Sequence, residues 1–457
     1  RDYVYSEISN QTLWDTYMPP YEAGVKAGAV TLMCSFNDIS GTPCAANHYI
    51  LTDILKKRWA HSGFVVSDWG AIQQLMSQRV AKDRKEAALK AFTAGVEMDM
   101  MNRCYDAHLA DLIKEGKVSE ALLNDAVKRV LRVKFRLGLF DNPYTASSKE
   151  EDRFLLPKSL KIAEQLAEES IVLLKNDNKI LPLKKMLKIA VIGPMAKSSW
   201  HLLGSWRAQG KSEDAITIFK GLEAEFKDKA ILSYAQGCDF DGKDKSHYKE
   251  ALDIAKNADA LIVCLGEKAQ WSGENASRST LSLPQVQEEL VAELKELGKP
   301  IILLLSSGRP LELARLEKLS DAILQVWQPG IVGGKPIAGI ISGRINPSGK
   351  LSITFPYSTG QIPIYYNHRQ SARVHQGKYQ DIQSTPLYEF THGLSYTNFE
   401  YGDIKASATK VRLGDKLTFD IAVTNTGDMD GAETVHWFIS DPVSTISRPV
   451  KELKGFE

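Results

Sequence analysis

Gly63-Phe64-Val65-Val66-Ser67-Asp68-Trp69-Gly70 decides how the first third of this 457-residue chain is read. Three apolar residues in succession, two of them β-branched, predict a strand buried on both faces. The polar residues after them predict its exit. Working outward, residues 29–34 and 95–100 read as further strands, and helical periodicity appears at 49–59, 82–94 and 119–137. Such alternation predicts a parallel sheet covered by helices. Three strands cannot close a barrel. Read as a (β/α)8-type barrel, residues 1–141 are therefore its C-terminal part, with the first strands upstream of Arg1.

Gly138 and Pro143 mark the end of the last of these helices, and 142–158 reads as a linker. A second α/β pattern fills 159–355, with strands over 188–192, 230–234, 260–265, 300–305 and 322–327 and a helix over 285–297. It predicts an open, doubly wound sheet in an α/β/α sandwich. Its first turn, Gly193-Pro194-Met195-Ala196, lacks the GxGxxG pattern of dinucleotide sites. Residues 356–397 form a connector rich in Pro, Tyr, Gln and His. From 398 the apolar period becomes two, around Asn425-Thr426-Gly427-Asp428, which predicts an incomplete β-sandwich over 398–457.

Composition narrows the function. With 43% hydrophobic and 25% charged residues and a net charge of +1, the chain has no field that would draw nucleic acid. No apolar run reaches about 18 residues, so no membrane insertion is expected. Five cysteines contain no CxxC pair, which argues against a disulfide framework, and no His–Cys cluster has metal-ligand spacing. P-loop, HExxH and EF-hand patterns are absent, and none of the nine histidines accompanies a Gly-flanked Ser. Neither a metal nor a cofactor is expected. The chain starts at Arg1 without an initiator Met or signal peptide, and is expected to be an internal slice of a longer secreted or periplasmic protein.

Asp68 follows the apolar strand directly. In α/β barrels functional groups project from the C-terminal strand ends, and a carboxylate beside the Trp69 indole suits a sugar. On local pattern alone, however, Ser67 or Asp68 capping a helix from Ala71 is the stronger reading. Glu274 lies in the long polar loop 266–278 after the strand ending at Leu265, on the ligand-bearing edge of an open sheet. A solvated surface glutamate is the plain alternative. Trp206, in Leu203-Gly204-Ser205-Trp206-Arg207, either stacks on a ligand ring or closes a seam.

Together these segments resemble glycoside hydrolase family 3, in its multidomain, periplasmic β-glucosidase branch. The stretch 29–37, then Gly41-Thr42-Pro43, Asn47 and Phe64-Val65-Val66-Ser67-Asp68-Trp69, looks like the family's barrel signature. Residues 170–176 with Leu181-Pro182-Leu183 resemble the entry to its sandwich domain. Pro347-Ser348-Gly349-Lys350-Leu351 and Phe390-Thr391-His392-Gly393-Leu394-Ser395-Tyr396-Thr397 resemble its later motifs, and the remainder its fibronectin type III-like domain.

The resemblance implies that Asp68 is the nucleophile. It implies Glu274 as acid/base, since Arg278 and Pro284 follow it at four and ten residues, as in several members of the family. Glu267, directly after the strand, is the rival. The substrate residues implied are Met33, Phe36, Trp69, Trp206 and Arg278, with Phe36 standing where Tyr is frequent. Gly330-Ile331-Val332-Gly333-Gly334 lacks the family's usual acidic residue. The Lys-His pair, Asp and Arg that hold sugar hydroxyls in the family belong upstream of Arg1.

The implied reaction is retaining exo-hydrolysis of terminal β-D-glucosyl residues from β-linked gluco-oligosaccharides. Its two carboxyls, from barrel and sandwich, should lie about 5–5.5 Å apart. A β-xylosidase or arabinofuranosidase on the same scaffold is the nearest alternative. The family's β-N-acetylglucosaminidase type, which uses an Asp–His dyad in an upstream loop, fits less well, because the sandwich domain and its Glu274 loop weigh against it. A non-catalytic carbohydrate-binding protein would be expected to lose one carboxylate. Linkage preference is left open, as is a homodimer.

Overall fold

The computed structural model describes residues 3–145, 154–183, 187–373 and 378–457. Residues 146–153 of the expected linker lie outside the described residues. The chain divides into two compact units, 1–149 and 150–457.

In the first unit β1 (Thr31–Cys34) and β2 (Phe64–Ser67) pair in parallel, with Thr31 opposite Phe64 and Cys34 opposite Ser67. Parallel neighbours need a crossover, and the π-type helix Tyr49–Arg58 lies within it. The helix Arg84–Ala94 starts where Asp83 Oδ1 accepts the Glu86 N–H at 2.8 Å and stops at Gly95, whose φ of 114° only glycine adopts readily. Its inner face is Ala87, Ala88, Ala91, Phe92 and Ala94, small enough to share one core with Val65, Ile72 and Leu75. Helix Glu120–Arg136 is capped by Ser119, whose Oγ accepts the Leu122 N–H at 3.2 Å.

The expected strand over 95–100 is a single bridge, Met98 beside Val66. Backbone bonds from Glu97 and Met98 N–H to Val65 O continue beside it, and side chains take further groups. The Val65 N–H donates to Glu97 Oε2 at 2.7 Å, and the Val96 carbonyl accepts from Tyr105 Oη at 2.8 Å. The peptide still runs along β2, because Ser67 N–H donates to Met98 O at 2.8 Å.

The second unit holds β3 (Val172–Asn176), β4 (Leu187–Ile192), β5 (Ala230–Ala235), β6 (Ala260–Gly266), β7 (Ile301–Ser306) and β8 (Ala322–Gln325). They form one six-stranded sheet in the order β3-β8-β7-β6-β4-β5. Five strands run parallel; β3 is antiparallel to β8. The sequence reading anticipated all but β3. Alternation sends Leu261, Val263 and Leu265 into one core with Leu290 and Val291, and Ala260, Ile262 and Cys264 into another with Leu222 and Ile337. Every residue of β6 is buried, which is why its sequence is continuously apolar.

Gly266 closes β6 where a Cβ would stand 2.1 Å from the Ser306 carbonyl oxygen. The fully buried Gln287 completes this corner. Its Oε1 accepts the Gly266 N–H at 3.0 Å, and its Nε2 donates to Gly266 O at 2.9 Å and Phe240 O at 2.7 Å. Gln287→Ala strands these groups, each costing about 1–3 kcal/mol. Urea denaturation should show a loss of about 3 kcal/mol or more; an unchanged midpoint would contradict the role given to Gln287.

The motif over 390–397 is laced to the sheet and to the helix Gly334–Ser342. Leu394 bridges Leu173, His392 Nε2 lies 2.9 Å from Leu174 O, and Tyr396 Oη donates to Ile340 O at 2.8 Å. Beyond it are three antiparallel pairs: Phe399–Tyr401 with Val423–Asn425, Lys405–Ala406 with Phe419–Asp420, and His436–Ile439 with Glu452–Phe456. The expected strand over 416–423 is thus split between two partners. Phe419 and Val423 are exposed, so no packed face holds it in one register.

Candidate active site

In the first unit Ser67 ends β2 fully buried, its Oγ accepting the Met100 N–H at 2.8 Å. Asp68 emerges next, half-buried, and its Oδ1 accepts the N–H of Trp69 at 2.6 Å. The short helix Ala71–Gln74 has Gly70 at its N-cap in the left-handed region and no side-chain cap. The capping reading of Ser67 and Asp68 is therefore corrected. Ser67 serves the neighbouring peptide, and a φ of 78° at Gly70 makes the turn.

The β1–β2 register puts Met33 opposite Val66, and Phe36 leaves the same sheet edge as Asp68. Met33 and Trp69 are exposed. Phe36 packs edge-on against Tyr3 with centroids 5.3 Å apart, and its carbonyl accepts from Gln78 Nε2 at 2.9 Å. Cys34 also lies near Asp68, but burial pushes its thiol up to about 12. It is not a thiolate nucleophile at neutral pH.

In the second unit the loop after β6 begins with Glu267, whose side chain is only 3% exposed. Its carboxylate meets Arg309 Nε at 3.1 Å and Arg278 Nε at 3.6 Å. Burial raises its pKa, and the two guanidinium groups oppose that rise. Arg278 also lies 4.7 Å over the Trp271 ring. Glu267 and Arg278 are thus partners in one ion cluster at the root of the loop.

Glu274 is exposed further along this loop and lines a cleft of ≈ 600 Å³ with Trp200, Ser205, Trp206 and Arg207. Trp206 is 76% exposed, and the Arg207 guanidinium stacks 3.5 Å over the Trp200 ring. The two loops approach closely. A Cβ at Gly273 would stand 3.3 Å from Ser205 Cβ, and Ser205 Oγ lies 3.4 Å from Ser272 Oγ. A carboxylate, an indole face and a guanidinium in one open cleft can meet a sugar's hydroxyls and its C–H face.

Arg207, Trp200 and Arg309 were missed in the sequence. Arg309 had a readable signal, since Ser307-Gly308-Arg309 follows a strand at the edge that carries the 266–278 loop. Among the described residues no group of three metal-ligating side chains assembles, and no helix is long and apolar enough to cross a membrane.

Residues 1–133 match the glycosyl hydrolase family 3 N-terminal domain, and residues 171–396 match the family's C-terminal domain. The chain belongs to glycosyl hydrolase family 3. It is 39% identical to the periplasmic beta-glucosidase of Salmonella typhimurium, over 100% of this chain and 64% of that protein. It is 35% identical to a beta-xylosidase of Formosa agariphila, over 99% of this chain and 65% of that one. The beta-glucosidase from Listeria innocua, also solved in complex with glucose, superposes at a TM-score of 0.94 with 37% identity, over 100% of this chain and 64% of the other. The chain spans less than two thirds of the length of each of these relatives.

Proposed function

We propose that the protein is a retaining exo-β-glucosidase acting on the terminal β-D-glucosyl residues of oligosaccharides. Asp68 attacks the anomeric carbon and Glu274 protonates the departing oxygen. Glu274 then deprotonates the water that releases the glycosyl-enzyme. The observation that carries this reading is the setting of Asp68. It stands at the C-terminal exit of a buried strand, and Gly70 rather than a side chain turns the chain into the next helix. Family membership adds the chemistry, and the relatives named beta-glucosidase favour the sugar.

In the same reading, 1–141 is the C-terminal part of a (β/α)8-type barrel and 142–158 a linker. Residues 159–355 are an α/β/α sandwich, 356–397 a connector and 398–457 part of a fibronectin type III-like domain. The two cores on opposite faces of the six-stranded sheet support the sandwich. A periplasmic or secreted location follows the Salmonella relative.

Glu274 is preferred to Glu267 as acid/base because it lines an open cleft, whereas Glu267 is held between two arginines. Trp206, exposed in that cleft, stacks on the leaving-group sugar. Trp206→Ala should raise KM for cellobiose about 3–10-fold, the worth of one lost aromatic contact. Equal kinetics on cellobiose would remove Trp206 from the site.

The Formosa relative favours β-xylosidase as the second reading. Paired nitrophenyl β-glucoside and β-xyloside assays on the whole protein decide. A higher kcat/KM for the xyloside would replace glucose by xylose, and activity on no aryl β-glycoside would leave a carbohydrate-binding protein.

A further inference from the structure

We infer that Arg309 is a positioning residue for Glu274, a clamp that fixes the acid/base loop on both sides of that glutamate; this rests on the reading of Glu274 as acid/base. The loop from Glu267 to Arg278 has one 3-10 turn, Ala269–Trp271, and no strand pairing of its own. Asp241, His201 and Gln328 hold Lys268, Ala269 and Ser272, and Arg309 holds both flanks of Glu274 from the neighbouring strand exit.

Arg309 is itself firmly set. Ser307 Oγ donates to its carbonyl at 2.8 Å and accepts from the buried Gln325 Nε2 at 2.9 Å. Its guanidinium then makes three contacts to the loop. Nε donates to Glu267 Oε2 at 3.1 Å, and Nη2 donates to the Trp271 carbonyl and to Ala276 O at 3.0 Å. The two carbonyls flank Glu274, and the carboxylate anchors the start of the loop. The Arg309 side chain is only 18% exposed, so solvent competes little for these bonds. It does not line the cleft that Glu274 and Trp206 share, so it acts through the loop and does not touch substrate.

Geometry makes the clamp matter. A proton donor works only within hydrogen-bond reach of the departing oxygen, and a displacement of about 1 Å can cost about 10²-fold. Lysine in place of Arg309 retains the charge that Glu267 needs. One ammonium cannot also reach both carbonyls in the fork geometry of a guanidinium.

The test compares Arg309→Lys, Glu274→Ala and the double variant of the whole protein on cellobiose and 2,4-dinitrophenyl β-glucoside. Arg309→Lys should lose about 10–10²-fold in kcat/KM on cellobiose and less than about threefold on the dinitrophenyl substrate, whose departure needs no acid. Its thermal midpoint should fall somewhat, since two carbonyls lose their donor, so the contrast between the two substrates carries the test. In the double variant the loss on cellobiose should equal that of Glu274→Ala alone, because one function has been removed twice. Equal losses of Arg309→Lys on both substrates, or multiplied losses in the double variant, overturn the clamp. If Glu274→Ala shows leaving-group dependence and Arg309→Lys does not, the clamp alone fails. If Glu274→Ala shows none, the acid/base reading fails and takes the clamp with it.

Discussion

Asp68→Asn should abolish turnover on every β-glycoside, with kcat falling by about 10⁴-fold or more, the scale of removing a nucleophile. The amide matches the carboxylate in shape but cannot form the glycosyl ester, so substrate still binds and chemistry stops. Little stability should be lost. Asp68 is half-buried, its side chain accepts one N–H from the adjacent Trp69, and Gly70 makes the turn into the helix. Steady-state kinetics on nitrophenyl β-glucoside with a thermal melt checks both parts. Residual activity within about 100-fold of the parent, with an unchanged melt, would move the nucleophile elsewhere.

Glu274→Ala should divide substrates by their leaving groups. On cellobiose, kcat/KM falls about 10²–10⁴-fold, the usual worth of general acid catalysis. On 2,4-dinitrophenyl β-glucoside, kcat/KM should stay within about tenfold of the parent, because the phenolate departs without a proton. Release of the glycosyl-enzyme still needs a base, so kcat falls even there, and added azide restores it by attacking without deprotonation. A uniform loss on all substrates, without azide rescue, would remove Glu274 as acid/base and return Glu267 to consideration.

Much of this was legible in the sequence because burial on both faces leaves a plain mark. The apolar runs of β2, β6 and β7 read directly as strands, since each contributes side chains to packed cores. The helix expected over 82–94 runs from Arg84 to Ala94, because Asp83 caps it and Gly95 stops it. Where side chains do the work of backbone, periodicity misleads. Residues 95–100 look like a strand, yet Glu97 and Tyr105 occupy the groups a ladder would use. The antiparallel β3 was overlooked because its five residues join a helix directly, with no turn residue between.

The candidate site was legible by a different route. Local chemistry favoured a helix cap at Asp68, and the family motif overrode it. In the structure, Gly70 takes the capping position. What sequence could not give was the support of the 266–278 loop. Glu267, Arg278 and Arg309 form one cluster across two strand exits, and no spacing rule links residues 42 positions apart.

In the proposed reaction Asp68 becomes covalently bonded to the sugar. Incubation of the whole protein with a 2-deoxy-2-fluoro-β-glucosyl fluoride, followed by proteolysis and mass spectrometry, tests it most directly. A fluoroglucosyl ester is expected on the peptide containing Ser67-Asp68-Trp69, located at Asp68. An ester on any other carboxylate would contradict it.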